Sequence, residues 1–266
     1  MPGADLAGSV AVVTGASGRL GTLWCATLLD AGADVMALDL VEPGEDGLGP
    51  RTAGAGRYLP FTADVTDRRS LEHALDACLD RLGPPTILVN NAGIDSPPTR
   101  DQGSWLFGDI PEELSAIVLD VNALGVLRVC QVFGSHMAQR RTGTIVNIGS
   151  LYGGLAPYPP LYDHLDLDPP FLKPPAYGMS KAGVAALTRY LAALWGPKGV
   201  RVNTLSPGGV LGDQDPQFKK KFSGRVPLGR MAYPEDLTGP LLFLVSDMSR
   251  YVTGQEMLVD GGYSCW

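Results

Sequence analysis

The sequence predicts an α/β protein: one doubly wound parallel sheet with helices on both faces, built from the whole chain of 266 residues. Two observations lead there. Short, mostly apolar runs of strand length at Ser9–Thr14, Asp34–Asp39, Thr86–Asn90, Gly143–Ser150, Val200–Leu205 and Glu256–Val259 alternate with segments whose apolar residues recur at helical spacing. No linker or internal repeat divides the alternation, which therefore belongs to a single domain over 1–266.

The first run has the form of a strand buried on both faces. It leads into Gly15-Ala16-Ser17-Gly18-Arg19-Leu20-Gly21, and then into a helix with Leu20, Leu23, Trp24, Thr27, Leu28 and Ala31 on one face, stopped at Gly32. Strand, glycine-rich turn and helix in that order make a site where backbone N–H groups and a helix N-terminus hold a pyrophosphate. The bland alternative is a glycine turn without a ligand, and the flanking strand and helix speak against it. Asp39 ends the second strand, 24 residues after Gly15, close to the ~20 expected of an acid that binds an adenosine ribose. A carboxylate there accepts from both ribose hydroxyls and repels a 2′-phosphate, favouring NAD over NADP. Arg19 pulls toward NADP, since a guanidinium pairs with phosphate. No basic residue follows Asp39 in Leu40-Val41-Glu42, so the acid carries more weight. Residues 43–56 read as a surface loop.

After Tyr58-Leu59-Pro60-Phe61, the segment Ala63-Asp64-Val65-Thr66-Asp67 precedes a helix striped by Leu71, Ala74, Leu75, Cys78, Leu79 and Leu82, with Asp67 as its cap. The next strand delivers Asn91-Ala92-Gly93 to the carboxyl edge, where open parallel sheets bind ligands. A long helix from Pro111 carries Leu114, Ile117, Val118 and Val121, then Asn122 close to Gly125, an unfavourable interior pair that calls for a kink or a bound water. The strand over 143–150 brings Ser150 to the same edge. A helix with Val184, Leu187, Leu191 and Leu194 stops at Gly196-Pro197, and Ser206-Pro207-Gly208-Gly209 follows the sixth strand. The polar stretch 213–224, part of a lid expected over 211–230, reads as a mobile excursion whose Lys219 to Lys221 form a solvated face.

Composition narrows the partners. A formal net charge of −7 disfavours nucleic acid. No uninterrupted apolar run approaches the ~20 residues of a membrane span, and no basic-then-apolar leader opens the chain, so a cytoplasmic location without membrane contact is expected. Cys25, Cys78, Cys130 and Cys265 form no CxxC pair, and only three histidines accompany them. No metal site is expected, and free thiols are.

Tyr177 and Lys181 lie four apart at the start of a helical pattern, one above the other on one face. An ammonium near a phenol lowers its pKa and makes it a proton-transfer base at a carbinol or carbonyl. Alone, the spacing is also that of many solvated helices.

Taken together, Thr14-Gly15 through Gly21, Asp64-Val65, Asn91-Ala92-Gly93, Asn122, Ser150, Tyr177 with Lys181, Pro207-Gly208 and Asp260-Gly261-Gly262 resemble the short-chain dehydrogenase/reductase family over nearly the whole chain. The resemblance implies a Rossmann-type fold and an NAD(P)-dependent oxidoreductase. In it Tyr177 is the general acid/base, Lys181 lowers its pKa and binds the nicotinamide ribose, Ser150 orients the substrate oxygen, and Asn122 holds a relay water. The cofactor would rest on Gly15, Ser17, Arg19, Leu20, Asp39, Leu40, Asp64, Val65, Asn91, Ala92, Gly93, Tyr177, Lys181, Pro207, Gly208 and Val210. The chain departs from the pattern at Arg19, where shorter members carry glycine, and after Pro207-Gly208, where Val210 stands without the usual threonine and its backbone would face the carboxamide. Ser150 and Tyr177 are 27 residues apart, a gap that holds an inserted loop over 151–176 above the substrate end, with His164 as a candidate substrate contact. That insert, Lys173-Pro174-Pro175, Trp195 and the terminal Trp266 are similar to the flagellin-modification protein A dehydrogenases, which implies a sugar or sugar-phosphate substrate. Family habit implies a homo-oligomer, tetramer or dimer. The rivals are an NADPH-dependent 3-oxoacyl thioester reductase and a dinucleotide-binding regulator without catalysis.

Overall fold

The computed structural model describes residues 4–48, 55–95 and 104–266. Seven strands, β1 (Val10–Thr14), β2 (Asp34–Asp39), β3 (Tyr58–Thr62), β4 (Ile87–Asn90), β5 (Gly143–Ile148), β6 (Val200–Pro207) and β7 (Glu256–Val259), form one parallel sheet in the order β3-β2-β1-β4-β5-β6-β7. The order reverses between β1 and β4, which opens a crevice at their carboxyl ends.

The strands are apolar throughout because each feeds two cores in alternation. Val10, Val12, Met36, Leu38, Leu88, Ile145 and Val202 point to one. It is covered by α2 (Arg68–Arg81), α6 (Pro175–Trp195) and the helix over 112–140. Ala11, Val13, Val35, Ala37, Ile87, Val89, Val146 and Leu205 point to the other, beneath α1 (Arg19–Asp30) and α8 (Thr238–Val245). Burying a Val or Leu side chain contributes ~1.5–3 kcal/mol, so these rows hold the sheet against both layers. β3 tolerates Pro60 because it is an edge strand, where a missing N–H leaves no interior ladder bond unmade. Asp67 caps α2 by accepting from Arg69 N at 2.9 Å.

The long helix predicted around Asn122 runs from Glu112 to Arg140, 29 residues. It consists of α3 (Glu112–Leu119), α4 (Val126–Val129) and α5 (Ser135–Arg140), joined by π-helical turns at Asp120–Gly125 and Cys130–Gly134. Asn122 and Gly125 thus fall inside a π-turn, a local widening that often marks function. By length and composition alone this helix could cross a membrane; Asp120, Asn122 and Arg128 interrupt the apolar run that sequence reading sought. Its Val118, Val126, Val129, Cys130, Phe133 and Met137 are buried against the domain.

The stretch 213–224 contains a helix, α7 (Pro216–Ser223), capped by Asp215, whose Oδ1 accepts from Gln217 N at 2.7 Å and Phe218 N at 3.1 Å. Three consecutive lysines conceal its apolar face, which is only Phe218 and Phe222, four apart.

Candidate active site

The glycine turn is shaped by close approach. Gly15 has φ 65°, and a Cβ there would stand 2.7 Å from Ala92 Cα, so only glycine lets β1 meet the loop after β4. α1 begins at Gly18 with no side-chain cap and no acid in its first turn. Its leading N–H groups are therefore open to an anion, as a pyrophosphate requires. Asp39 stands beside this turn: Oδ2 accepts from Ser17 N at 2.9 Å and Oδ1 from Leu40 N at 2.7 Å. Arg19 lays its guanidinium against Gly212, in the loop after β6. These residues fit a dinucleotide.

The neighbouring asparagines do structural work. Asn91 Nδ2 donates to the carbonyls of Thr14 (3.0 Å) and Gly15 (2.9 Å), and its Oδ1 accepts from Trp24 Nε1 at 2.9 Å. Thr14 Oγ1, which sequence reasoning did not single out, accepts from Asn91 N and Ala92 N, both at 3.1 Å. Asp64 Oδ1 is occupied by Thr66, through N and Oγ1 at 2.7 Å each. Val65 packs on Gly125 of the π-turn. Asn122, fully buried, accepts from Ile94 N at 2.8 Å. Its Nδ2 donates to Ile94 O at 2.9 Å and Ser180 Oγ at 3.2 Å. The Asn122 amide thus ties the π-turn to the β4 loop and to α6.

Tyr177 lies in the first turn of α6, which starts at Pro175 after the Pro174 cap. Proline at the first helical position costs no hydrogen bond. Lys181, one turn on, is 6% exposed; its Nζ donates to Ile148 O at 2.8 Å and lies 5.7 Å from the centroid of the Tyr177 ring. Burial pulls the Lys181 ammonium down to about 8, with Asp95 opposing the shift. Burial pushes the Tyr177 phenol up to about 12; the Asp95 charge adds to the rise, and a hydrogen bond with Ser150 counteracts it. Ser150, 8% exposed, lies two residues beyond β5 and faces this phenol, and its Oγ also accepts from Tyr152 N at 3.2 Å. A hydroxyl, a phenol and an ammonium therefore converge at the sheet edge beside Gly93, where a Cβ would stand 3.3 Å from Asn122 Oδ1 and 3.6 Å from Lys181 Nζ.

Comparison with known proteins identifies this arrangement. Residues 9–162 match the family model "short chain dehydrogenase", and 169–264 match a model described as "Enoyl-(Acyl carrier protein) reductase". The chain belongs to the short-chain dehydrogenase/reductase family. It is similar to the D-threitol dehydrogenase of Mycolicibacterium smegmatis, with 33% identity covering 97% of this chain and 94% of that one. It is equally similar, at 33%, to the 3-oxoacyl-[acyl-carrier-protein] reductase of Thermotoga maritima, covering 97% and 98%. A short-chain dehydrogenase from Leptospira borgpetersenii, solved with bound NAD+, superposes with TM-score 0.84 at 31% identity over 98% of this chain and 94% of that one. Other relatives are named as arabinitol, galactitol and 2-dehydro-3-deoxy-D-gluconate dehydrogenases. As a short-chain dehydrogenase/reductase the protein is an oxidoreductase acting on CH–OH groups, and the family binds NAD(P).

Residues 151–171 and α7 pack into one unit. Aromatic rings run from Phe171 to Tyr162 (4.9 Å between centroids), Phe218 (5.5 Å), Phe222 (5.7 Å) and Tyr263 (4.7 Å). His164, expected as a substrate contact, is committed elsewhere. Its Nε2 stands 2.8 Å from Asp215 Oδ1 and its Nδ1 3.1 Å from Lys221 Nζ, which also pairs with Asp163. Val210 keeps its carbonyl on Gln214 Nε2 at 2.7 Å, and Gln214 Oε1 in turn takes Gly212 N at 2.7 Å. The loop carrying Pro207 and Gly208 is anchored to the last strand by Gly208 N on Val259 O at 2.9 Å. Sequence reasoning also missed the pairing of Asp95 with Lys173, whose Nζ lies 5.2 Å from the centroid of the Tyr177 ring. Among the described residues no group of His, Cys, Asp and Glu could hold a metal ion.

Proposed function

We propose that the protein transfers hydride reversibly between NAD(H) and a secondary alcohol or ketone on a polyhydroxylated substrate such as a polyol or sugar. The convergence of Ser150, Tyr177 and Lys181 at the crevice carries the reading. Ser150 Oγ orients the substrate oxygen while Tyr177 Oη removes the hydroxyl proton in oxidation and returns it in reduction. The Lys181 ammonium favours the phenolate electrostatically and reaches the nicotinamide ribose. Bound NAD(H) supplies the hydride acceptor or donor. Asn122 acts from behind by fixing α6 against the β4 loop, and the backbone N–H of Val210 is the group left to face the carboxamide.

NAD is favoured by Asp39, since its carboxylate would stand against a 2′-phosphate, while Arg19, which pulls toward NADP, has its guanidinium against Gly212. A second reading, a 3-oxoacyl thioester reductase, has the Thermotoga relative behind it. Steady-state assays of a polyol series and an acetoacetyl thioester with each dinucleotide decide between them. NAD-linked polyol oxidation is expected, and Asp39→Ser should erode the preference for NAD about tenfold or more, the loss of a charged hydrogen bond. NADPH-linked thioester reduction as the main activity would overturn the reading. A narrower kinship with flagellin-modification dehydrogenases would place the same chemistry on an amino sugar, and such sugars belong in the same panel. Assembly into a dimer or tetramer completes the proposal: Ile117, Leu124, Tyr190 and Leu194 are exposed apolar residues available to a second copy, and light scattering reads the mass.

A further inference from the structure

Lys173 stands four residues before Tyr177, at the end of the insert. Its side chain is 5% exposed, and its Nζ donates to both oxygens of Asp95, at 2.7 and 2.8 Å. The same ammonium lies 5.2 Å from the centroid of the Tyr177 ring and 5.8 Å from that of Tyr152. The phenol that moves the proton therefore has two lysines near its ring, Lys181 on α6 and Lys173. Lys173 is paired with a carboxylate, and the Asp95 side chain remains 45% exposed.

Both partners hang from rigid supports. Asp95 follows Ile94, whose backbone N–H and carbonyl are gripped by Asn122. Lys173 precedes Pro174 and Pro175, which start α6 and restrict the backbone before them. The pair is thus held at a fixed offset from Tyr177. A carboxylate has about four lone-pair sites and an ammonium three N–H donors, so two contacts between them do not exhaust the hydrogen-bonding capacity of either group. An acceptor group beside a donor group suits an uncharged hydroxyl, which needs one of each. It does not suit a carboxylate or phosphate, which would meet the Asp95 charge and compete for a buried ammonium that is costly to leave unpaired.

We propose that Asp95 and Lys173 form a diol-reading pair: they take the hydroxyl on the carbon next to the reacting carbinol and so select neutral polyols over simple alcohols and anionic sugars. This rests on the polyol reading above and adds the residues that recognise the second hydroxyl. A substrate lacking that hydroxyl would forgo the contacts the pair offers, the kind of mismatch by which hydrogen-bonding sites discriminate.

The test uses the full chain with NAD and a minimal pair of substrates, cyclohexane-1,2-diol and cyclohexanol, together with a tetritol, a pentitol and a sugar phosphate. The quantity read is the ratio of kcat/KM for the diol to that for the mono-alcohol. Lys173→Met and Asp95→Asn are each expected to lower it about tenfold or more, mainly through the KM of the diol; Lys173→Arg, which keeps a cation on Asp95, should recover much of it. Unchanged ratios, or equal losses on both substrates, would make the pair structural and overturn the inference while leaving the polyol function intact. A wild-type preference for the sugar phosphate would overturn the neutral-substrate part. Failure of the wild type to oxidise any polyol would sink the proposed function and this inference with it. Circular dichroism and NAD titration check folding, and if Lys173→Met does not fold, the partly exposed Asp95→Asn variant decides alone.

Discussion

The two halves of the site are built by different physics. The cofactor side, from β1 to β6 and α6, is held by buried polar contacts: Asn90 Nδ2 donates to Asn147 Oδ1 (2.7 Å), Asn147 Nδ2 to Thr188 Oγ1 (2.8 Å), and Thr204 Oγ1 to the same Thr188 oxygen (2.7 Å). This chain of amides and hydroxyls fixes the register of α6 on the sheet, and with it the positions of Tyr177 and Lys181. Residues 151–176 and α7 are held instead by packed aromatic rings and by ion pairs whose carboxylates are exposed. A buried hydrogen-bonded network favours one geometry, here with Asn90 Oδ1 left without a partner, whereas aromatic packing and surface pairs contribute about 0.5–1.5 and 0–1 kcal/mol each and open more readily. The contrast implies that lesions in the first half abolish chemistry, and lesions in the second weaken substrate capture.

The sharpest break is Tyr177→Phe. It deletes one oxygen and leaves the aromatic body in place, so the fold and the dinucleotide affinity should stay as they are. Turnover should fall by roughly 10²–10⁴, the usual contribution of a positioned acid/base. Stopped-flow or steady-state assays, paired with fluorescence titration of NAD, measure both; normal turnover would remove Tyr177 from the mechanism.

Phe222→Ala probes the other half. Phe222 is 2% exposed and stacks on Tyr263 at 4.7 Å. Truncation costs roughly 3–5 kcal/mol of packing, spent in the lid unit and not under the sheet. KM for the polyol is expected to rise about tenfold while NAD affinity holds, and hydrogen exchange should accelerate over 151–176 and 211–230 alone. Exchange that quickened equally in β4 and β5 would show that the halves are one cooperative unit and that the contrast is false.

The same division decides what the sequence could reveal. The cofactor half was legible because its constraints are local: a glycine turn between a strand and a helix, an acid at a strand end, two residues four apart on a helix. Asn122 beside Gly125 signalled irregularity, and the π-turn supplies it. The substrate half was opaque because its contacts join distant segments. Nothing near Tyr162 announces Phe218, and nothing near Lys173 announces Asp95. Lys219 to Lys221 concealed the apolar edge of α7, and His164, taken for a substrate contact, serves α7 instead. Asn122 was legible as a site residue, but not the fact that its amide would be consumed by Ile94 and Ser180.

The smallest effect concerns stability, and it separates the buried charge of Lys181 from its catalytic use. The folded chain holds this ammonium near 8, below its ordinary 10.5, because burial penalises the charge. Between those values the unfolded chain keeps a proton that the folded chain has lost, so unfolding free energy rises with pH through that window. Cys25, Cys78 and Cys130 act in the opposite sense: burial pushes each thiol up to about 12 from 9.0. Above pH 9 the unfolded chain loses thiol protons that the folded chain retains, and stability falls. The cofactor-free wild type should therefore change little in stability from pH 8 to 9, where one lysine and three thiols nearly cancel, and lose it beyond, at about 1.4 kcal/mol per pH unit for each group fully engaged. Lys181→Met abolishes the lysine's gain and leaves the loss. Its stability relative to wild type should be most favourable below pH 8 and should decline by roughly 2–3 kcal/mol toward pH 10.5, although the variant is inactive throughout. Urea unfolding of both proteins at intervals across this range measures the difference, and a difference independent of pH would mean that Lys181 keeps its charge in the folded protein at every pH tested.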